Sequence, residues 1–188
     1  MYKLCKTEQS ATRQRQLEQG LLQIMQIKRY EDISISDLCD RLCVPRKSFY
    51  RYFSGKDGAL AALIDHTLMD FSHLLPVGSK AKNSTAASEL DRFFRFWRER
   101  KSLLDALQRS GLSGMLVERS MSHAMQERLM PRYLNGLPDY MQELAMTFCV
   151  SGLLALVIQW HHNGYREGVE EIVRVASMML SKPLIPME

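Results

Sequence analysis

The sequence predicts an all-α protein: a three-helix N-terminal domain built on a helix-turn-helix, followed by a larger helical bundle. Three observations carry that reading. Apolar residues recur at intervals of three and four in one segment after another, and no stretch alternates as a half-buried strand would. Caps and breakers (Ser34, Pro45, Gly111, Gly114, Pro131, Pro138 and Gly164) punctuate the chain between these segments. Charge divides unevenly, with 11 Lys and Arg against 7 Asp and Glu in residues 1–60, but 14 against 14 in residues 61–188. At 188 residues, 46% hydrophobic and 24% charged, the chain has ordinary globular composition and ample length for a core.

Taken in order, residues 1–9 read as a polar, frayed arm. Ser10 or Thr12 caps a helix to about Ile27, with Leu17, Leu21, Ile24 and Met25 on one stripe. Arg13 and Arg15 near its start either reach a phosphate or are simply solvated. Tyr30 and Ile33 lead into the densest stretch of the chain. There Ser34 caps a helix over residues 36–42, Asp37 can return a bond to the cap, and Leu38 and Leu42 share a face. After a turn at Cys43-Val44, Pro45 opens a second helix to about Tyr52, where its missing N–H costs nothing. A turn at Ser54-Gly55-Lys56 starts a long helix over 57–75. Residues 76–86 form a small, polar break. Helices are expected beyond it over 87–100, 101–110, 115–130, 138–163 and 167–181. The division that follows is a domain at 8–55 with its motif at about 33–52, a connecting helix at 56–75, and a C-terminal domain at 76–188.

The second motif helix is unusually dressed. Phe49, Tyr52 and Phe53 supply an inward face, while Arg46, Lys47, Ser48, Tyr50 and Arg51 crowd the remainder. Between Cys43 and Lys56 stand four cations and no acid. Such a helix suits the DNA major groove, where Arg and Lys pair with guanine edges or phosphate and hydroxyls reach phosphate oxygens. Composition alone leaves a solvated basic face on an ordinary helical hairpin as the alternative. The register favours the first reading. Tyr30, Ser34-Ile35, Asp37-Leu38-Cys39, Leu42-Cys43-Val44-Pro45, Ser48-Phe49-Tyr50-Arg51-Tyr52-Phe53, Lys56 and Leu60 together resemble the DNA-binding domain of the TetR family of transcriptional regulators. The sequence departs from that family's pattern at three places. Cys43 stands where Gly is usual, although the turn often wants positive φ, Pro45 replaces a Ser cap, and Tyr52 replaces His.

The resemblance implies a sequence-specific, DNA-binding transcriptional regulator: a homodimer on an inverted-repeat operator in double-stranded DNA, repressing until a small ligand relieves it. Arg46 and Lys47 would contact base edges or nearby phosphates, while Ser34, Ser36, Ser48, Tyr50, Tyr52 and Lys56 grip the backbone. Residues 76–188 would be the ligand-binding and dimerisation domain, pairing through the last two helices. Leu153, Ala155, Leu156, Val157 and Trp160, with Ile172, Val173, Ala176, Met179 and Leu180, offer the apolar surface for it. Phe94, Trp97, Met115, Met121, Met125, Phe148 and Trp160 are lining material for a lipophilic effector, and plain core packing is the other reading of the same residues. A DNA-binding-deficient adaptor or co-activator that holds a protein partner through its C-terminal body is the alternative function.

Other classes find little support. The sequence has no Gly-rich phosphate loop, nucleophile motif or telling pair of acids, so the chain reads as no enzyme and as needing no cofactor. His161 and His162 are adjacent and face different ways on a helix, His66 and His73 are seven apart, and His123 is alone, so no metal site is expected. Cys5, Cys39, Cys43 and Cys149 lack zinc spacing and read as reduced thiols, with a Cys39/Cys43 redox pair the alternative to small core-filling side chains. The apolar run at 144–158 is shorter than the roughly 20 residues a bilayer span needs and reads as a buried core helix. The first residues hold no apolar run for secretion. A cytoplasmic protein outside the membrane is expected.

Overall fold

A computed structural model of the chain describes residues 1–3, 5, 7–75, 85–127, 129 and 138–181. Among the described residues the protein is all-α, with nine α-helices, one 3-10 turn at Tyr30–Asp32 and a single antiparallel bridge between Tyr2 and Phe53. Most of the expected polar break at 76–86, and Pro131, lie outside the described residues. The chain forms two compact units. One comprises Met1–Leu68 and Ser102–Arg119, the other Met69–Lys101 and Ser120–Glu188.

The first unit opens with α1 (Glu8–Met25). Its cap is Thr7, not Ser10 or Thr12: extended backbone at φ −127° lets the Thr7 hydroxyl accept from the Ser10 N–H at 3.3 Å. The expected stripe of Leu17, Leu21, Ile24 and Met25 is buried. Helix α2 (Ile35–Arg41) carries the expected reciprocal cap, with the Ser34 N–H donating to Asp37 at 2.8 Å and the Asp37 N–H to Ser34 Oγ at 3.1 Å. Gly20 lets α1 approach α2, because a Cβ there would run into the side chain of Leu42. Pro45 has ψ 142° and is therefore the cap of α3 (Arg46–Tyr50), one place before the helical position expected of it. Helix α4 (Lys56–Leu74) buries a continuous run from Gly58 to Ile64.

Residues 102–119 belong with these helices. Gln26 Nε2 donates to Ser102 O at 2.9 Å, the Arg109 guanidinium donates to Met25 O and Gln26 O, and the buried Tyr30 N–H donates to Ser110 Oγ at 3.0 Å. All three contacts fasten α6 (Lys101–Arg109) and its end to the segment joining α1 and α2. Residues 1–3, expected to be part of a frayed arm, are docked. The Lys3 N–H donates to Tyr52 O at 2.9 Å, and the Tyr2 hydroxyl to Asp65 at 2.7 Å. The partners lie far along the chain, so no local pattern announces them.

The second unit is organised by α5 (Ala86–Glu99), which packs on α9 (Val169–Ser181) and on α8 (Asp139–His162). Arg95 on α5 pairs with Glu170 at 2.9 Å, and the Phe94 and Trp160 rings meet edge to face at 6.0 Å. Phe71, near the end of α4, sits with its ring 5.6 Å from Phe93 and 5.0 Å from Phe96. Helix α7 (Ser113–Gln126) contributes its first residues to one unit and its last to the other.

Helix α8 departs from expectation. It was expected to be buried core, yet only 17% of its most apolar 18-residue window is buried, at a mean hydropathy of 1.8. By length and composition alone it could cross a bilayer. Met146, Leu154, Val157 and Trp160 face the interior of the unit, while Tyr140, Met141, Leu144 and Phe148 face outward. The inward and outward sets differ from the apolar surface expected for pairing: Val157, Trp160, Ile172 and Ala176 are spent inside the unit.

Candidate nucleic-acid interface

The motif presents α3 by its flanks. Phe49 and Phe53 are completely buried and anchor its inner side, their rings 5.2 Å apart. Pro45 limits the entry of the chain, and Cys43 makes the preceding corner at φ 51°. Outward from that scaffold stand Arg46, Lys47 and Tyr50, all exposed, with Ser48 half-buried. Tyr50 keeps its place by an edge-to-face contact with Phe49 at 5.6 Å. No acid lies on α3, so its outer field is positive.

The other backbone-contact candidates divide. Ser34 is exposed, but its hydroxyl caps α2; its backbone N–H holds the Asp37 carboxyl below the usual carboxylate range. Ser36 is half-buried and accepts from the Arg46 guanidinium, which joins α2 to α3 and fixes where that cation begins. Tyr52 is 7% exposed, and the half-buried Lys56 turns its ammonium to the backbone of the entry turn. The Lys56 ammonium donates to Tyr30 O at 2.7 Å, Glu31 O at 3.0 Å and Ile33 O at 2.9 Å, and lies 4.6 Å from the Tyr30 ring centre. An ammonium has three protons and all three are engaged. Lys56 therefore braces the entry to the motif, and a phosphate contact by it would first have to break these bonds.

Arg51 is one of the four cations between Cys43 and Lys56, and nothing in the sequence marks a role for it. It lies with Arg13 and Thr12 of α1 along a groove whose wall includes Tyr52. Only the fold brings these residues together, since 38 positions separate the two arginines.

The seven effector candidates are divided between the two units and differ in burial. Phe94, Trp97 and Trp160 are core side chains of the second unit. Trp160 donates its indole N–H to Glu167 O at 3.0 Å, whereas the buried indole nitrogen of Trp97 has no hydrogen-bond partner. Met121 accepts from the Ser151 hydroxyl at 3.4 Å. Met115 belongs to the first unit, Met125 is exposed, and Phe148 stands 67% exposed on the outer face of α8. A groove in the second unit is lined instead by Leu74, Ser88, Asp91, Arg92, Arg95, Phe96 and Glu99. Arg92 has a buried guanidinium nitrogen without a partner there, a residue the sequence reading passed over because it looks like an ordinary solvated cation.

Cys39 is buried, which pushes its thiol up, and Cys43 is exposed; neither is in a disulfide. His66 pairs with the buried Glu18 at 2.9 Å. No group of three His, Cys, Asp or Glu that could hold a metal occurs among the described residues.

Two solved structures match this arrangement along nearly their whole length. The dihydroxyacetone kinase operon activator DhaS matches with a TM-score of 0.54 and 17% identity, over 89% of this chain and 93% of its own. The fatty acid degradation regulator FadR from Bacillus halodurans matches with a TM-score of 0.59 and 15% identity, over 96% of this chain and 98% of its own. The chain has the fold of these regulators. At such low identity the likeness concerns the fold alone, and both of these proteins are regulators by name. No protein-family model matches the chain, and no curated protein does.

Proposed function

We propose that the protein is a sequence-specific DNA-binding transcriptional regulator of the TetR type, acting as a cytoplasmic homodimer on an inverted-repeat operator. The observation that carries the reading is α3: a short helix, free of acids, with Arg46, Lys47 and Tyr50 exposed outward while Phe49 and Phe53 hold its inner side. Arg46 and Lys47 read or approach base edges, Ser34, Ser36, Ser48 and Tyr50 lie towards the phosphates, and Arg13 and Arg51 extend the basic surface beyond them. Functionally, residues 8–55 bind DNA, 56–75 connect, and 76–188 regulate and dimerise.

Pairing through α8 and α9 is supported by what those helices leave outward. Leu144 at 65% and Phe148 at 67% exposure, with Met178, Met179 and Leu180, make an apolar face unusual for a monomer. A second copy of the chain would cover it, and two α3 helices would then meet half-sites roughly 34–36 Å apart. A small ligand bound in the C-terminal part would change the affinity for DNA only by its preference for one of two conformations. Repression relieved by that ligand is the proposed outcome.

Selection of bound duplexes from a random pool at two salt concentrations tests this. An enriched inverted repeat is expected, with an affinity that falls steeply with salt. Weak binding without sequence preference would overturn the reading. Function would then lie in a protein partner held by the exposed face of α8, the adaptor alternative.

A further inference from the structure

The short α3 helix has five residues, too few to hold its own geometry, so its aim depends on what grips its ends. At its start the grip is Pro45 and the bond from Arg46 to Ser36. At its end the grip is the segment Met1–Lys3. Tyr2 bridges Phe53, the Lys3 N–H donates to Tyr52 O at 2.9 Å, and the Ser54 N–H and hydroxyl donate to Met1 O at 3.1 and 2.8 Å. Every one of those bonds falls on the turn by which α3 leaves.

The same segment reaches two other helices directly and a third through Asp65. Gln14 of α1 donates to Lys3 O at 3.3 Å. The Tyr2 ring meets His66 of α4 edge on at 5.8 Å, and the Tyr2 hydroxyl donates to Asp65 at 2.7 Å. Both oxygens of Asp65 in turn accept from the guanidinium of Arg119 on α7. Fit is close: a Cβ at Gly58 would run into the Met1 carbonyl.

We propose that Met1–Lys3 form a clip that sets the aim of α3, with Tyr2 the positioning residue that ties the clip through Asp65 to Arg119. Its consequence for affinity rests on the DNA-binding reading. A recognition helix already held in its docking orientation loses less freedom on binding, so the clip raises affinity without touching DNA. Because Arg119 lies on α7, displacement of α7 moves the anchor of the clip.

The test uses two variants of the full chain. Tyr2→Phe keeps the ring and the backbone pairing and removes the hydroxyl. Gly58→Ala leaves Tyr2 intact and adds a methyl where the Met1 carbonyl lies. In both, hydrogen exchange at the Lys3 and Ser54 amides is expected to speed up. Affinity for the selected operator should fall about three- to tenfold, the equivalent of one lost hydrogen bond. The slope of affinity against salt should not change, because the docked phosphate contacts are the same. Unchanged exchange in both variants overturns the clip, and faster exchange with unchanged affinity overturns its role in aiming α3. A slope reduced by about 0.9 in either variant also overturns it, since a contact between a cation and a phosphate would then have been lost with the clip. If the wild-type protein enriches no sequence, the DNA-binding reading fails on its own, and exchange at Lys3 and Ser54 still decides whether the clip exists.

Discussion

Cys43 turns the corner of the motif at φ 51°, a left-handed conformation in which a side chain crowds the backbone. The corner itself is well bonded, with the Val44 N–H donating to Cys39 O at 2.9 Å, so the strain is imposed by the turn. Cys43→Gly is expected to raise the unfolding free energy by about 0.5–1 kcal/mol, once the greater chain entropy of glycine is counted. Cys43→Val should lower it, and urea unfolding of the two variants checks both signs. Two lysines separate in the same way. Lys47→Ala should weaken operator binding with little effect on stability. Lys56→Met should lower stability and leave the salt slope nearly unchanged, because its ammonium is spent on three carbonyls of the entry turn. A slope that falls with Lys56→Met would return Lys56 to the phosphate-contacting set. Sequence register picks out both lysines; only the fold tells what each one touches.

At the scale of elements, the cap of α2 was legible because it lies within four residues. Asp37 is held below the ordinary carboxylate range chiefly by the Ser34 N–H. A carboxyl depressed in the folded state stabilises above its unfolded pKa, and that contribution is lost as pH falls through the folded value. Thermal midpoints of the wild type and Asp37→Asn should therefore differ at neutral pH and converge in acid below the usual carboxylate range. The place of α6 was not legible. Its apolar residues predict a helix, but its polar bonds to the α1–α2 segment span as many as 84 positions. Ser110→Ala would strand the buried Tyr30 N–H and should cost about 1–3 kcal/mol, measurable by denaturant unfolding.

For the whole molecule, the outward face of α8 carries the prediction. Phe148→Glu places a charge in the middle of the apolar face between Leu144 and Gly152. Sedimentation is expected to show the variant as a monomer where the wild type is a dimer, with operator affinity lost in parallel. A wild type that sediments as a monomer, or that requires detergent to stay in solution, would assign this face to another partner. Phe148 also illustrates why an apolar residue is ambiguous in sequence. Its type and helical spacing fit a cavity lining as well as an interface, and only its direction separates the two.

What the sequence by itself determined was local. Helix periodicity, the Ser34/Asp37 cap, the breakers and the crowding of cations on α3 arise from residues a few positions apart, so their physics is written in the order of the chain. It also carried the fold class, because no stretch offered strand periodicity to compete with helix. The tertiary structure decided which faces were used up. The docking of Met1–Lys3 on the turn after α3, the direction of Lys56, the fastening of α6 to the first unit and the outward turn of Phe148 all depend on partners tens of residues away. Burial and hydrogen bonding are satisfied in three dimensions. A helix with apolar residues to spare on two sides does not say in its own sequence which side its own chain will cover.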